Sequence, residues 1–184
     1  FGWIGRRLRA LGVRRDRSAA TILEPQRVEM RILGIDPGLE RMGFAIIERN
    51  GSALKAIEYG LIQTPRIAVA DRLFQIHQEV NGLIEKFRPD ALATEKLIFA
   101  ANKTTAMDVA KALGVALLAG AQRGLPWAEY SPPQVKLAVV GNGAADKRQV
   151  QFMVTRLLSL EKPPKPDDVA DALAIAICHA FHFR

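Results

Sequence analysis

Four carboxylates stand at positions in this sequence where an acidic side chain is unusual. Asp36 directly follows a short apolar segment and precedes Pro-Gly, and Glu95 ends a second short apolar segment. Asp168 and Asp171 lie three residues apart in the predicted first turn of the last helix, so they share one helix face. If the two apolar segments are neighbouring strands, Asp36 and Glu95 converge at one sheet end, and the last helix brings its pair over them. The sequence therefore predicts a cluster of four acidic side chains.

Such a cluster requires counter-charge. Two carboxylates about 4–5 Å apart repel by roughly 3–4 kcal/mol at an effective dielectric constant near 20. Protonation or a bound cation must offset this repulsion. Oxygen ligands without histidine or thiolate favour Mg²⁺ or Mn²⁺ over zinc. Two such ions about 4 Å apart can cleave phosphodiesters, one by activating a water molecule and the other by stabilising the leaving oxygen.

Each of these carboxylates also has an ordinary structural explanation. An aspartate before Pro-Gly, such as Asp36, is often a turn residue, and an acidic residue in a first helical turn is often a cap that complements the helix dipole. Glu95 could point toward solvent. The residues taken alone therefore leave both a structural and a catalytic role open.

The elements that must position these carboxylates follow from turn residues and apolar spacing. Pro-Gly and Asn-Gly pairs end strands, and apolar residues from Leu73 to Phe87 repeat at helical spacing. The predicted strands cover residues 31–35, 43–48, 53–63, 91–95 and 127–130. The predicted helices run from Pro65 to Arg88, over 103–123, from the Ser131 cap to Val140, over 147–160, and from an Asp167 or Asp168 cap to His182.

This order of elements predicts an α/β fold with a five-stranded mixed sheet, three strands antiparallel and two parallel, flanked by helices. The alanine-rich helix over 103–123 is apolar around much of its girth. We therefore expect it to lie inside the domain or against a second copy of the chain.

Composition and length limit the possible classes of protein. The chain has 184 residues, 49% of them hydrophobic and 24% charged, which is the composition of a globular domain. The longest uncharged apolar stretch, Ala112–Ala121, is about half the length of a membrane span, so no association with a membrane is expected. The single cysteine, Cys178, excludes an internal disulfide framework and a cysteine-based zinc site. It is compatible with a reducing compartment, and we expect a cytoplasmic protein.

Positive charge is concentrated at the start of the chain. Residues 1–29 contain seven arginines and three acidic residues, whereas the net charge of the whole chain is +7. A basic, flexible extension that contacts nucleic acid is one interpretation of this segment, and a non-native leader before Met30 is the other. We expect the folded domain to comprise residues 30–184.

Four motifs resemble those of the RuvC family of bacterial Holliday-junction resolvases. They are MRILGIDPG from Met30, ATEKLIFAANK, VKLAVVGNGAADKRQVQ and DDVADALAIAICH, in the family's order and spacing. The resemblance implies an RNase H-like fold in which Asp36, Glu95, Asp168 and Asp171 are the catalytic, metal-binding carboxylates. It also implies direct attack of water on phosphorus, leaving 5′-phosphate and 3′-hydroxyl ends.

The same resemblance implies partners and a cellular role. A homodimer would nick two opposing strands of a four-way DNA junction symmetrically during homologous recombination and DNA repair, since the two-fold axis of the dimer matches that of the junction. Helix 103–123 would then form the dimer face. The branch-migration proteins RuvA and RuvB would be partners.

Further residues match family positions associated with DNA. Lys136 and Lys147 would neutralise a phosphate or hold the backbone, although each could also be a solvated lysine. Where the family commonly has an aromatic residue three positions after the glutamate, this chain has Ile98, with Phe99 next. Either side chain could wedge against unstacked bases, or the pair could be buried in a loop. The DNA-binding set also includes two residues of the same motif, Asn102 and Lys103.

Three other functions start from the same residues. Actin-like ATPases and sugar kinases also place an aspartate in a glycine turn after the first strand, but they need two such domains, and residues 30–184 supply one. A junction-binding protein without catalysis should lack at least one of the four carboxylates, whereas all four are present. An RNase H-like nuclease with another nucleic-acid substrate stays open.

Overall fold

The computed structural model describes residues 29–97 and 103–182. For residues 103–105 it describes the backbone but not the side chains. Five strands are β1 (Met30–Asp36), β2 (Arg41–Asn50), β3 (Ala53–Gln63), β4 (Ala91–Glu95) and β5 (Trp127–Tyr130). Five helices are α1 (Val69–Phe87), α2 (Lys103–Gln122), α3 (Pro132–Val140), α4 (Lys147–Leu157) and α5 (Asp167–His182). Residues 1–28 lie outside the described part, so the proposed division at residue 29 stays a prediction.

The strands form one sheet in the order β3-β2-β1-β4-β5. β1 pairs antiparallel with β2, and β2 pairs antiparallel with β3. β4 pairs parallel with β1, and β5 pairs parallel with β4. This topology confirms the predicted five-stranded mixed sheet. Helical crossovers through α1 (from β3 to β4) and through α2 (from β4 to β5) give β4 and β5 the same direction as β1.

Helices cover both faces of the sheet. On one face, α1 and α2 contribute Ile76, Val80 and Ala116 to a core with Leu33 and Ile46 of the sheet. On the other face, α3, α4 and α5 pack against alternate residues of the same strands. A strand that is buried on both faces reads as a continuous apolar run, as β1 does.

Helix α5 lies closest to the sheet. Its residues Ala172–Ala180 are all buried. At Gly34 of β1, a Cβ atom would lie 2.4 Å from the Ala172 carbonyl oxygen and 2.8 Å from the Ala176 Cβ. Glycine on the strand and alanine on the helix therefore allow a close approach, which fixes the height of α5 above β1.

Strands β1 and β2 are longer at both ends than predicted, and several helix boundaries also differ from the prediction. α1 begins at Val69 rather than in a turn containing Pro65, because the Thr64 amide still donates to the Glu40 carbonyl and holds this segment beside the β1–β2 turn. α4 ends at Leu157 rather than at residue 160, because Ser159 adopts a left-handed backbone conformation with a φ of 51°. α5 begins at Asp167, so this residue lies within its first turn.

Candidate active site

The register of two parallel strands positions the first two carboxylates. Ile35 of β1 pairs with Thr94 of β4, so Asp36 and Glu95, one residue further along, end neighbouring strands at the same sheet edge. This is the convergence that the sequence predicted. It follows from the crossover through α1, which joins β3 to β4 and gives β4 the direction of β3, and this is also the direction of β1.

The first turn of α5 supplies the other two carboxylates. At Gly43 of β2, a Cβ atom would lie 2.0 Å from the backbone oxygen of Asp168, so the start of α5 rests directly on the strand beside β1. Asp36 is itself paired with Gly43 across the sheet. The structure therefore brings Asp168 and Asp171 over the sheet edge that carries Asp36.

Burial and mutual repulsion govern the ionisation of Asp36. Burial, followed by the negative charges of Asp171, Glu95 and Asp168, raises the pKa of Asp36 from 3.8 to about 8, against the opposing effect of Lys147. All three other predicted carboxylates are thus close enough to act on Asp36. A carboxylate in this position stays ionised at neutral pH when additional positive charge is bound beside it.

Two more carboxylates of the cluster share this behaviour. Burial and the negative charge of Asp171 raise the pKa of Glu95, while Lys147 and Lys136 act in the opposite direction. Burial also raises the pKa of Asp171, and Lys147 again opposes the shift. Lys136 and Lys147 therefore lie near the acidic cluster, as the resemblance implied.

Two cationic side chains contact the α5 carboxylates directly. The Lys147 Nζ lies 3.7 Å from Oδ2 of Asp171 and 3.7 Å from Oδ2 of Asp167. The negative charge of Asp171 is the main reason that the pKa of Lys147 is raised. The Arg41 guanidinium lies 3.2 Å from Oδ2 of Asp168.

Sequence reasoning missed the site contacts of two residues, Arg41 and Asp167. Asp167 adjoins Asp168, so its proximity could have been noted once the helix start was placed. Arg41 could have been found from the strand pairing, because an antiparallel return from Asp36 brings the start of the second strand to the same sheet edge.

The donor set fits a hard divalent cation, although the arrangement is not a preformed cage. The four carboxylates offer oxygen ligands, which suit Mg²⁺ and Mn²⁺. Oδ2 of Asp168 is buried and accepts no hydrogen bond from the described residues, although the Arg41 guanidinium lies 3.2 Å away. A buried carboxylate oxygen without a hydrogen bond fits a cation ligand. Within residues 29–97 and 103–182, however, no three acidic, histidine or cysteine side chains are arranged to hold one ion.

Most of the remaining predicted DNA-binding side chains lie outside the described part of the chain. Ile98, Phe99 and Asn102 lie outside the described residues, and Lys103 begins α2 but its side chain is not among those described. Lys136 lies on α3, whose start is fixed where the Ser131 amide donates to Oε1 of Gln134 at 2.9 Å.

An acidic cluster at the edge of an RNase H-like mixed sheet, with lysines beside it, defines a class of metal-dependent nucleases. The profile of one family, crossover junction endodeoxyribonuclease RuvC, matches residues 32–179. The chain belongs to this family of endonucleases.

Individual relatives agree with this assignment. The crossover junction endodeoxyribonuclease RuvC of Syntrophomonas wolfei is 47% identical over 156 residues, covering 84% of this chain and 91% of the relative. That of Halothermothrix orenii is 53% identical over 156 residues, covering 84% and 94%. The structure of T. thermophilus RuvC in complex with a Holliday junction substrate superposes with a TM-score of 0.80 at 36% identity, covering 83% of this chain and 94% of that one. In the described part of this chain, no helix is sufficiently long and apolar to cross a membrane.

Proposed function

We propose that this chain resolves four-way DNA junctions by hydrolysing one phosphodiester in each of two opposing strands. The observation that carries the proposal is the parallel register that ends Asp36 and Glu95 side by side beneath the first turn of α5. The pKa of Asp36 is raised by burial and by its three acidic neighbours despite the opposing effect of Lys147, which indicates that the protein's own cations do not neutralise the site. The solved T. thermophilus relative was bound to a Holliday junction substrate, which supports the choice of substrate.

Asp36, Glu95, Asp168 and Asp171 would hold two Mg²⁺ or Mn²⁺ ions. Bound there, the ions would supply Lewis acidity at the phosphate and lower the pKa of the attacking water. Asp168 and Asp171 are paired with Arg41 and Lys147 in the structure. To hold the ions, these two carboxylates would give up their contacts with Arg41 and Lys147, and Asp36 would be ionised.

The neighbouring lysines would hold the scissile strand. Lys147 begins α4 with an exposed ammonium group, and Lys136 approaches from α3 on the Glu95 side. Either ammonium can neutralise a phosphate oxygen, which positions the strand without reading its sequence. Lys103, at the start of α2, and Asn102, which precedes it in the sequence, would contact the DNA, and Ile98 or Phe99 would wedge against the unstacked bases.

A homodimer would supply the second site for the opposing strand. On α2, Met107, Lys111, Gly114 and Leu118 are exposed at spacings of four, three and four residues, so they form one outward stripe. Met107 is 55% exposed and Leu118 is 52% exposed. Large exposed apolar side chains along one helix face are typical of a helix-to-helix contact between protomers.

The proposed setting follows from this activity. The chain would act in the cytoplasm during homologous recombination and DNA repair, together with the branch-migration proteins RuvA and RuvB. Residues 30–184 would form the nuclease domain, with residues 1–29 as a basic extension.

A comparison of substrates tests the proposal. The full chain is incubated with a four-way junction, a linear duplex of the same sequence and an RNA–DNA hybrid, each in EDTA, Mg²⁺ and Mn²⁺. We expect paired nicks with ligatable ends in the junction, dependence on Mg²⁺ or Mn²⁺, and little cleavage of either linear substrate. Equal cleavage of the hybrid would favour an RNase H-like nuclease of different substrate class. Cleavage in EDTA would overturn the metal-dependent mechanism.

A further inference from the structure

Arg41 is placed at the acidic cluster by the backbone of β2. It is the first residue of the strand and lies two positions before Gly43, so the Cα–Cβ direction of both positions is toward the same face of the sheet. That face meets the first turn of α5, because a Cβ atom at Gly43 would lie 2.0 Å from the Asp168 backbone oxygen. The side chain of Arg41 therefore emerges beside the carboxylate of Asp168.

The contact between these two residues differs from an ordinary surface ion pair. The guanidinium lies 3.2 Å from Oδ2 of Asp168, whose side chain is only 23% exposed, while the Arg41 side chain is 54% exposed. The buried Oδ2 accepts no hydrogen bond from the described residues. Arg41 thus holds the carboxylate by charge, with imperfect hydrogen-bond geometry, and much of its guanidinium stays open to solvent.

The surrounding charges show what this contact offsets. Asp171 has Lys147 as its partner and Asp168 has Arg41. In the described ranges, Asp36 and Glu95 have no ion-pair partner of their own. The two protein cations therefore occupy the two carboxylates of α5.

We infer that Arg41 is a phosphate-binding residue that is held on Asp168 until a divalent ion takes that carboxylate. This inference rests on the proposed function. Once released, the guanidinium lies at the rim of the site, where the backbone of the bound strand must pass to reach the carboxylates. Its planar fork can donate two parallel hydrogen bonds to one phosphate group, which a lysine cannot do.

Two measurements on Arg41→Gln separate the two parts of this role. The first is the Kd for Mn²⁺ of the DNA-free protein, measured by titration calorimetry. We expect Mn²⁺ to bind about two- to fivefold more tightly, because the competing cation is gone and exposed ion pairs have effects of this size. The second is junction binding in Ca²⁺ across a salt series. We expect weaker binding and a salt slope that is smaller by about one, as for loss of one phosphate contact.

Two further variants serve as controls. Arg66→Gln removes one positive charge from a nearby surface pair, in which Arg66 lies 3.7 Å from Glu40 with both side chains strongly exposed. It should leave both measurements close to those of the unchanged protein. Arg41→Lys keeps the positive charge but loses the planar guanidinium that can donate two parallel hydrogen bonds. It should therefore bind Mn²⁺ like the unchanged protein and still lose junction affinity.

The outcomes are distinct for a folded variant with an unchanged thermal transition. Unchanged or weaker Mn²⁺ binding by Arg41→Gln overturns the inference, and so does tighter Mn²⁺ binding with no loss of junction affinity. Failure of the unchanged protein to bind Mn²⁺ or to cleave the junction refutes the proposed function instead. These results are told apart because the unchanged protein is measured first in both assays.

Discussion

Gly43 lies directly beneath Asp168, with so little space between them that a Cβ atom on residue 43 would sit 2.0 Å from the Asp168 carbonyl oxygen. The same glycine is paired with Asp36 across the sheet. One position without a side chain thus sets the distance between the carboxylate that ends β1 and those that begin α5. The height of α5 is therefore a determinant of the site and not only of the core.

Gly43→Ala tests this relationship. The added methyl group must displace the first turn of α5, and overpacking of this kind costs about 1–3 kcal/mol of folding free energy. We expect loss of most cleavage activity with a folded, less stable protein, measured by urea unfolding and a junction cleavage assay.

Gly82→Ala is the matched control, since nothing lies within 4 Å of a Cβ atom at that helical position. It should leave cleavage unchanged and stabilise α1 by up to about 1 kcal/mol. Full activity in Gly43→Ala would show that the site tolerates movement of α5.

Most of the fold could be predicted because turn residues and apolar runs mark it clearly. Ala53–Gln63, Ala91–Glu95 and Trp127–Tyr130 were predicted with the bounds that the structure has. Their ends coincide with Asn-Gly, Pro-Asp and Ser-Pro sequences, which break regular structure locally. The convergence of Asp36 and Glu95 could also be predicted, because strand order follows from the order of elements.

The remaining features depend on tertiary contacts that local sequence does not encode. Pro65 is suited to a first helical turn, yet α1 begins only at Val69, because the Thr64 amide donates a hydrogen bond to the Glu40 carbonyl. The contact of Arg41 with Asp168 joins β2 to α5 across more than a hundred residues. α2 was expected to lie inside the domain or against a second copy of the chain. One face of it is exposed within this chain, whereas α5 is the helix enclosed by the core.

The stability of the metal-free protein should decrease as pH rises from 5 to 8. The pKa of Asp36 is about 8 in the folded chain against 3.8 ordinarily, so the folded state binds a proton that the unfolded state has lost. Folding is therefore favoured at the lower pH, by about 1.4 kcal/mol for each pKa unit of the shift that is traversed. Thermal unfolding in EDTA at several pH values measures this effect.

Asp36→Asn removes this titration and should flatten the dependence of Tm on pH. Mn²⁺ binding by the unchanged protein should strengthen over the same pH range, because the metal competes with the proton. A Tm in EDTA that increases from pH 5 to 8 in the unchanged protein would contradict the raised pKa.

Asp36→Asn should also separate cleavage from binding. The substitution removes a proposed metal ligand and leaves the lysines of α3 and α4 in place. We expect cleavage to fall by at least about a thousandfold, equivalent to about 4 kcal/mol of transition-state stabilisation, while junction Kd changes little. Gel-shift and single-turnover assays in Mg²⁺ measure both quantities. Loss of junction binding together with cleavage, in a folded variant, would count against this assignment of Asp36.

Leu118→Glu should convert a dimer into monomers. The side chain lies on the exposed stripe of α2, and a buried, unpaired carboxylate in a helix contact is strongly unfavourable. Sedimentation at micromolar concentration measures the change. Phe152→Glu is the matched control, because Phe152 is 57% exposed on α4, which packs on the opposite face of the sheet. A Leu118→Glu protein that stays dimeric would place the protomer contact elsewhere.

Lys136→Ala should weaken junction binding or turnover without affecting the dimer. The positive charge of Lys136 counters the raised pKa of Glu95, so its loss should make that carboxylate harder to ionise as well as removing a phosphate contact. We therefore expect the lower limb of the pH–rate profile to move to higher pH, and the salt slope of junction binding to fall by about one. Lys162→Ala, on the exposed connection after α4, serves as the control and should keep the pH profile in place. If Lys136→Ala retains the junction Kd, the rate and the pH profile of the unchanged protein, Lys136 has no part in the site.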